Sequence, residues 1–132
     1  MWLFTDIGFF SVVRNRNNPS RLIVRARSEV DIKRLVSRHG HSLDLTELDV
    51  VYTPFADYSC RVEVSVLPWS AVLAQLTQDI DYDNFKDCVH RRQGVDRAML
   101  YSQVWSTMLS LQGSPDSYEK IQLEHAVPAV IG

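Results

Sequence analysis

The chain of 132 residues contains no apolar run of about 18 residues, so nothing in it is expected to cross a membrane. The opening Met1-Trp2-Leu3-Phe4-Thr5-Asp6 has neither a basic region nor a cleavage site, so no secretion signal is expected. Cysteine is scarce. Cys60 and Cys88 both sit in apolar-patterned segments and read as buried thiols, which fits a reducing cytoplasm. The chain also lacks a Gly-x-Ser-x-Gly elbow, a phosphate loop and a dinucleotide fingerprint. These absences leave an enzyme open but name no chemistry for one.

Metal signals are incomplete. Asp79-x-Asp81-x-Asp83 copies the first half of a calcium loop, then fails at Asn84 and His90, where that loop needs Gly and Glu. A helix start near Asn84, capped by Asp81 or Asp83, is the better reading. His39 and His41 flank Gly40, and His90 follows Asp87 by three, but no second pair with zinc-like spacing accompanies either. Cys88 and His90 would lie about 200° apart on a helix, so they form no dyad. No metal and no cofactor is expected.

What is present is an ordinary globular composition, 45% apolar and 23% charged, and enough length for one core. The net charge of -2 hides an asymmetry. Residues 14–38 carry eight basic and two acidic side chains; residues 41–85 carry eight acidic side chains and one basic, Arg61. Either the two blocks meet and neutralise each other, or the basic block forms a face for an anionic partner.

Two apolar, aromatic-rich runs, residues 1–5 and 8–14, flank Asp6-Ile7-Gly8 and predict a hairpin. Residues 21–27 alternate, with Leu22, Val24 and Ala26 opposite Arg21, Ile23, Arg25 and Arg27. Ser28-Glu29-Val30-Asp31 resembles a capping box and opens a helix striped by Ile32, Leu35 and Val36, which Gly40 is expected to end. A short strand over 50–53 stops at Pro54. Residues 58–66 alternate again, placing Tyr58, Cys60, Val62, Val64 and Val66 on one face. Pro68 stands in the first turn of a helix striped by Trp69, Val72, Leu73, Leu76 and Ile80. A short helix over 84–93 precedes a last one over 96–111, for which Tyr101, Val104, Trp105, Met108 and Leu111 are the expected core stripe. The order implies an α+β fold: a mainly antiparallel sheet of about five strands, helices on one face, a ferredoxin-like split βαβ core and an added N-terminal hairpin. The single domain is expected over 1–112. Residues 113–132 read as a C-terminal tail, flexible or docked on a partner.

The set Gly8-Phe9-Phe10-Ser11-Val12-Val13, Val24-Arg25-Ala26-Arg27, Asp57-Tyr58 with Arg61, Asp79-Ile80-Asp81-Tyr82 with Asn84-Phe85-Lys86, and Tyr101 with Val104-Trp105 resembles a family of small bacterial proteins to which no activity is attached. The resemblance spans roughly residues 1–112 and implies no substrate. The tail departs from that pattern.

One constellation carries recognition chemistry. Arg25 and Arg27 share a strand face, and Arg61, with Ser59 and Ser65, lies on the polar face of another. Were the strands neighbours, three guanidiniums would converge, suited to phosphate or carboxylate. The plainer alternative is pairing with Glu63 and nearby acids. Phe9 or Phe10 would supply an aromatic, since only one of them faces the core. Asn84 and Lys86 join the candidate site if their turn abuts the arginines. The leading expectation is a non-enzymatic module of the bacterial or phage cytoplasm that binds another protein as adaptor, regulator or inhibitor; by analogy of size and composition, inhibitors of bacterial defence systems are one such class. An exposed sheet edge and the apolar tail end are its docking elements, the latter also for a second copy. A nucleic-acid or nucleotide-binding module using the arginines stands as the alternative, and a small enzyme as a third.

Overall fold

The computed structural model describes residues 1–113. The tail expectation therefore lies outside the described residues from position 114 onward. Five strands form one antiparallel sheet: β1 (Trp2–Phe4), β2 (Phe9–Arg14), β3 (Arg21–Ala26), β4 (Val51–Tyr52) and β5 (Cys60–Ser65). Four α-helices complete the fold: α1 (Glu29–Leu43), α2 (Val66–Gln78), α3 (Phe85–Gln93) and α4 (Val95–Met108). The sheet order is β1-β2-β3-β5-β4, and every neighbouring pair is antiparallel. β3 and β4 therefore run parallel with β5 between them, which is the split βαβ unit around α1. A ferredoxin-like βαββαβ chain would add a last strand beside β3. Here β2, from the N-terminal hairpin, holds that place.

Alternation sets the two faces of the sheet. Phe10 and Val12 of β2, Val24 and Ala26 of β3, and Cys60, Val62 and Val64 of β5 point into the core. Against them lie Ile32, Leu35, Val36 and Leu43 of α1, and Trp69 and Val72 of α2. Each Val, Leu, Ile or Phe among them contributes about 1.5–3 kcal/mol by leaving water. The opposite face carries Trp2, Phe4, Phe9, Ser11, Arg25 and Arg61, and neither α1 nor α2 covers it.

Several local expectations are corrected. α1 runs past Gly40 to Leu43, and Asp44 takes the left-handed position that ends it, at φ 57°. Gly40 is needed for close approach instead: a Cβ there would lie 2.7 Å from the Leu45 carbonyl oxygen, because the chain folds back onto the helix. Ser28 caps α1 by backbone position only; its side chain makes no capping bond. The fourth residue of the expected box, Asp31, is drawn away to β2 and α4. A capping box does form at Thr46 and Asp49, around the 3₁₀ turn Glu47–Asp49. Asn84, rather than Asp81 or Asp83, caps α3, accepting from the Asp87 N–H at 3.0 Å. Val66 begins α2 instead of extending β5. Ile80 lies beyond α2 and is exposed. The last helix stops at Met108 and tightens into a 3₁₀ turn, Leu109–Gln112.

The α3–α4 pair is anchored beside the β1–β2 turn. Gln93 Nε2 donates to the Thr5 and Asp6 carbonyls at 3.1 and 2.7 Å. Arg92 pairs with both Asp6 and Asp81. Thr5 closes the turn, its hydroxyl donating to the Gly8 carbonyl at 2.7 Å. Gly8 lies against Asp31, where a Cβ would meet Asp31 Cγ at 2.5 Å.

Candidate functional site: an arginine-aromatic face on the open side of the sheet

Strand register builds the site. Trp2 pairs with Ser11, Ser11 with Arg25, Arg25 with Arg61, and Arg61 with Val51. These five residues form one row across the whole sheet, on the face opposite the core. Arg25 and Arg61 are cross-strand partners, but their guanidiniums reach opposite ways, Arg25 to Ser11 of β2 and Arg61 to Thr53 just past β4. Like charges placed opposite each other weaken a sheet by about 0.2–1 kcal/mol. Among the described residues no carboxylate lies within 4 Å of either guanidinium, nor of Arg27.

Neutralisation by Glu63 is corrected by this geometry. Glu63 pairs with Arg21 at 3.8 Å and accepts from Asn15 Nδ2 at 2.6 Å. Arg21–Glu63 is also the one salt bridge among the described residues that joins the basic block to the acidic block. Asp44, Asp49 and Glu63 share a groove with Arg21 and Arg61 without pairing with Arg61.

The arginines are held by neutral groups. Arg25 Nη2 donates to Ser11 Oγ at 2.8 Å, and Ser11 is only 1% exposed. Arg61 Nη2 donates to Thr53 Oγ1 at 3.1 Å. The Nε atoms of both arginines are buried without a partner. Arg25 and Arg27 lie over the Tyr58 ring, each 4.5 Å from its centroid. Tyr58, expected on the buried face with Cys60, is buried, but it precedes β5 and its ring packs against the arginines. Each cation–π contact is worth about 0.5–2 kcal/mol. It steadies the guanidinium without cancelling its charge.

Aromatics line the other end of the face. Phe10 enters the core and Phe9 faces outward, packed on Phe4 at 4.6 Å between centroids. Trp2 stands edge-on to Phe9 at 6.3 Å and is 68% exposed. Trp2, Phe4, Phe9, Tyr58 and Arg27 join Leu100, Tyr101 and Val104 of α4 around a groove of about 440 Å³. α4 is the side wall of this groove. Arg97 fixes its position, bonding both oxygens of buried Asp31 at 2.7 and 2.9 Å. The same carboxylate accepts the Phe9 N–H at 2.9 Å. That bond to Asp31 pushes the Arg97 pKa up, and burial pushes the Tyr101 hydroxyl up.

Asn84 and Lys86 lie on the far side of the same wall. They line a second groove, of about 360 Å³, with Phe4, Tyr101, Val104 and Trp105. Lys86 Nζ sits 4.4 Å from the Trp105 ring centroid. Phe4, Tyr101 and Val104 border both grooves, so Asn84 and Lys86 adjoin the arginine face without entering it. The α4 stripe is corrected in part. Tyr101 is buried and Val104 half-buried, whereas Trp105, Met108 and Leu111 are exposed, as are Met99 and Leu100.

Trp2, Phe4, Ser11 and Tyr58 were not foreseen as site residues. For Trp2 and Phe4 the signal was present: the same alternation that puts Leu3 with Phe10 puts them outside. Both thiols are buried, and burial raises the pKa of Cys60 and of Cys88. Neither is poised as a nucleophile. No group of three or more His, Cys, Asp or Glu among the described residues is placed to hold a metal ion. No described helix is long and apolar enough to cross a membrane. Comparison of the chain with protein-family models, with curated proteins and with solved structures finds no match.

Proposed function

We propose that this protein is a non-enzymatic binding module that captures an anionic group, phosphate or carboxylate, on the open face of its sheet. The carrying observation is the Arg25–Arg61 cross-strand pair, held by hydroxyls, with both Nε atoms buried and unpartnered. An oxyanion at this pair would offset their like charge and accept from the Nη1 groups, which make no hydrogen bond among the described residues, while the Nε atoms stay buried. Arginine suits this task because its planar fork meets phosphate and carboxylate bidentately. The sheet keeps both forks in place before the ligand arrives, so little ordering entropy is lost on binding. The test is thermal unfolding in pyrophosphate against chloride at matched ionic strength. A ligand at ten times its Kd stabilises the fold by about 1.4 kcal/mol. The gain should vanish in the Arg25→Gln/Arg61→Gln double variant. Equal unfolding in both salts would end the reading.

A second reading, association with another protein, draws on α4. Met99, Leu100, Trp105, Met108 and Leu111 are exposed on or just beyond one helix. Exposed apolar clusters of this kind mark association surfaces. A stoichiometric complex that survives nuclease and is lost on Trp105→Glu would support it. A complex indifferent to that change would not use this helix.

A further inference from the structure

Resting on the anion-binding reading above, we infer that the ligand of the open sheet face is a single-stranded nucleic acid, with bases stacked on Trp2 and Phe9 and phosphates held at Arg25 and Arg61. Two chemistries meet on this face. At one end are the exposed Trp2 ring and the half-buried Phe9 ring, beside the wall formed by α4. At the other are two cross-strand arginines with no carboxylate within 4 Å among the described residues. A ligand that satisfies both must carry flat rings and anions joined in alternation. Nucleotides do, and carboxylate peptides offer no regular π-face.

Length separates a strand from a single nucleotide. The row from Trp2 to Val51 crosses five strands, which at about 4.8 Å spacing is roughly 19 Å. A mononucleotide would fill a fraction of that row, whereas successive units of a strand would fill it. Shape separates a strand from a duplex. The site is the face of a sheet, and its aromatics are useful only to bases that are already unstacked. Residues 1–112 carry 13 basic and 13 acidic side chains, which argues against general nucleic-acid binding, so the electrostatic attraction rests on the local arginines of this face. Asp31, in the groove beside α4, is already bonded to Arg97 through both oxygens, and Glu63 beside Arg61 is paired with Arg21, while Asp44 and Asp49 also border Arg61.

The test uses the full chain and fluorescently labelled short oligouridylate and oligothymidylate, with a DNA duplex as competitor, read by anisotropy over a series of salt concentrations. Binding of one or both single strands is expected, and the two arms tell RNA from DNA. Each base–aromatic stack is worth about 1–3 kcal/mol. Trp2→Ala should therefore weaken binding about fivefold or more, and its exposed position leaves the fold intact; Phe9→Ala is the second variant. Arg25→Gln and Arg61→Gln should each lower the salt slope by about 0.7. Absence of strand binding at low salt would overturn the proposal, as would binding that both aromatic variants leave unchanged or that the duplex displaces equally well. If pyrophosphate still stabilises the protein in that event, the anion site stands and only the nucleic-acid assignment falls. If it does not, both fall together.

Discussion

Replacing Asp31 with alanine should remove more stability than any other single change in the site's frame. The carboxylate is 2% exposed and ties three elements together. From its place in α1 it accepts two bonds from Arg97 of α4, at 2.7 and 2.9 Å, and one from the Phe9 N–H of β2, at 2.9 Å. Removing one partner of a buried ion pair typically costs about 3–5 kcal/mol, because the other charge is left without compensation. Domains of this size have only about 5–15 kcal/mol of stability. Asp31→Ala should therefore lower Tm by roughly 10–20 °C. It should also shift the urea midpoint with little change in slope, measured by far-ultraviolet circular dichroism. The double variant Asp31→Leu/Arg97→Met removes both charges and should recover part of the loss. Recovery stays incomplete because the Phe9 N–H remains unpaired, at about 1–3 kcal/mol. A loss under about 1 kcal/mol in Asp31→Ala would refute the claim that this pair holds α4 against the sheet.

Other outcomes follow from single contacts. Gly40→Ala should destabilise the protein, although alanine in a helix interior normally gains about 1 kcal/mol over glycine, because the new methyl meets the Leu45 carbonyl at 2.7 Å; denaturant titration reads the sign. Burial holds the His39 pKa below its ordinary 6.5. The unfolded chain therefore binds that proton more readily, so the stability His39 contributes is complete above pH 6.5 and declines as pH falls through its lower folded value. His39→Gln should flatten that decline in unfolding curves taken across the acid range. Cys60 and Cys88 should react slowly with a thiol reagent in the folded protein and rapidly in denaturant, since both are buried with raised pKa values. Fast native labelling would contradict their placement.

The sheet was legible because alternation is a local signal with a tertiary meaning. Val24 and Ala26 in β3, and Cys60, Val62 and Val64 in β5, are apolar at every second position, and all five are buried. Helix limits were less legible. Gly40 reads as a stop because glycine often ends helices. Nothing in the sequence says that Leu45 will return to touch it. Asp31 reads as a capping residue for the same reason: its partner Arg97 lies 66 positions away. Periodicity in α4 identified an apolar stripe correctly, but periodicity reports only that a face is apolar. Whether anything covers it depends on the neighbours, and Trp105 at 55% exposure has too few among the described residues.

The arginine face shows the same division between local pattern and tertiary pairing. Each strand separately announced an arginine on its polar side. Register alone decides that Arg25 meets Arg61 rather than Glu63, and a shift of two residues in β5 would have produced an ordinary ion pair. The register is fixed from the other side of the sheet, where Val24 must face Val62 and Leu22 must face Val64 to fill the core beneath α1 and α2. The core thus dictates a juxtaposition that the surface, by itself, disfavours. A glutamate at either position would relieve the like-charge pair, but at Arg25 it would lose the bond to buried Ser11 and the contact with Tyr58, and at Arg61 the bond to Thr53. Departures from local preference are expected at functional or strained sites. On this sheet they share one row, Trp2, Ser11, Arg25 and Arg61, which joins an exposed indole to a buried hydroxyl and two unneutralised guanidiniums.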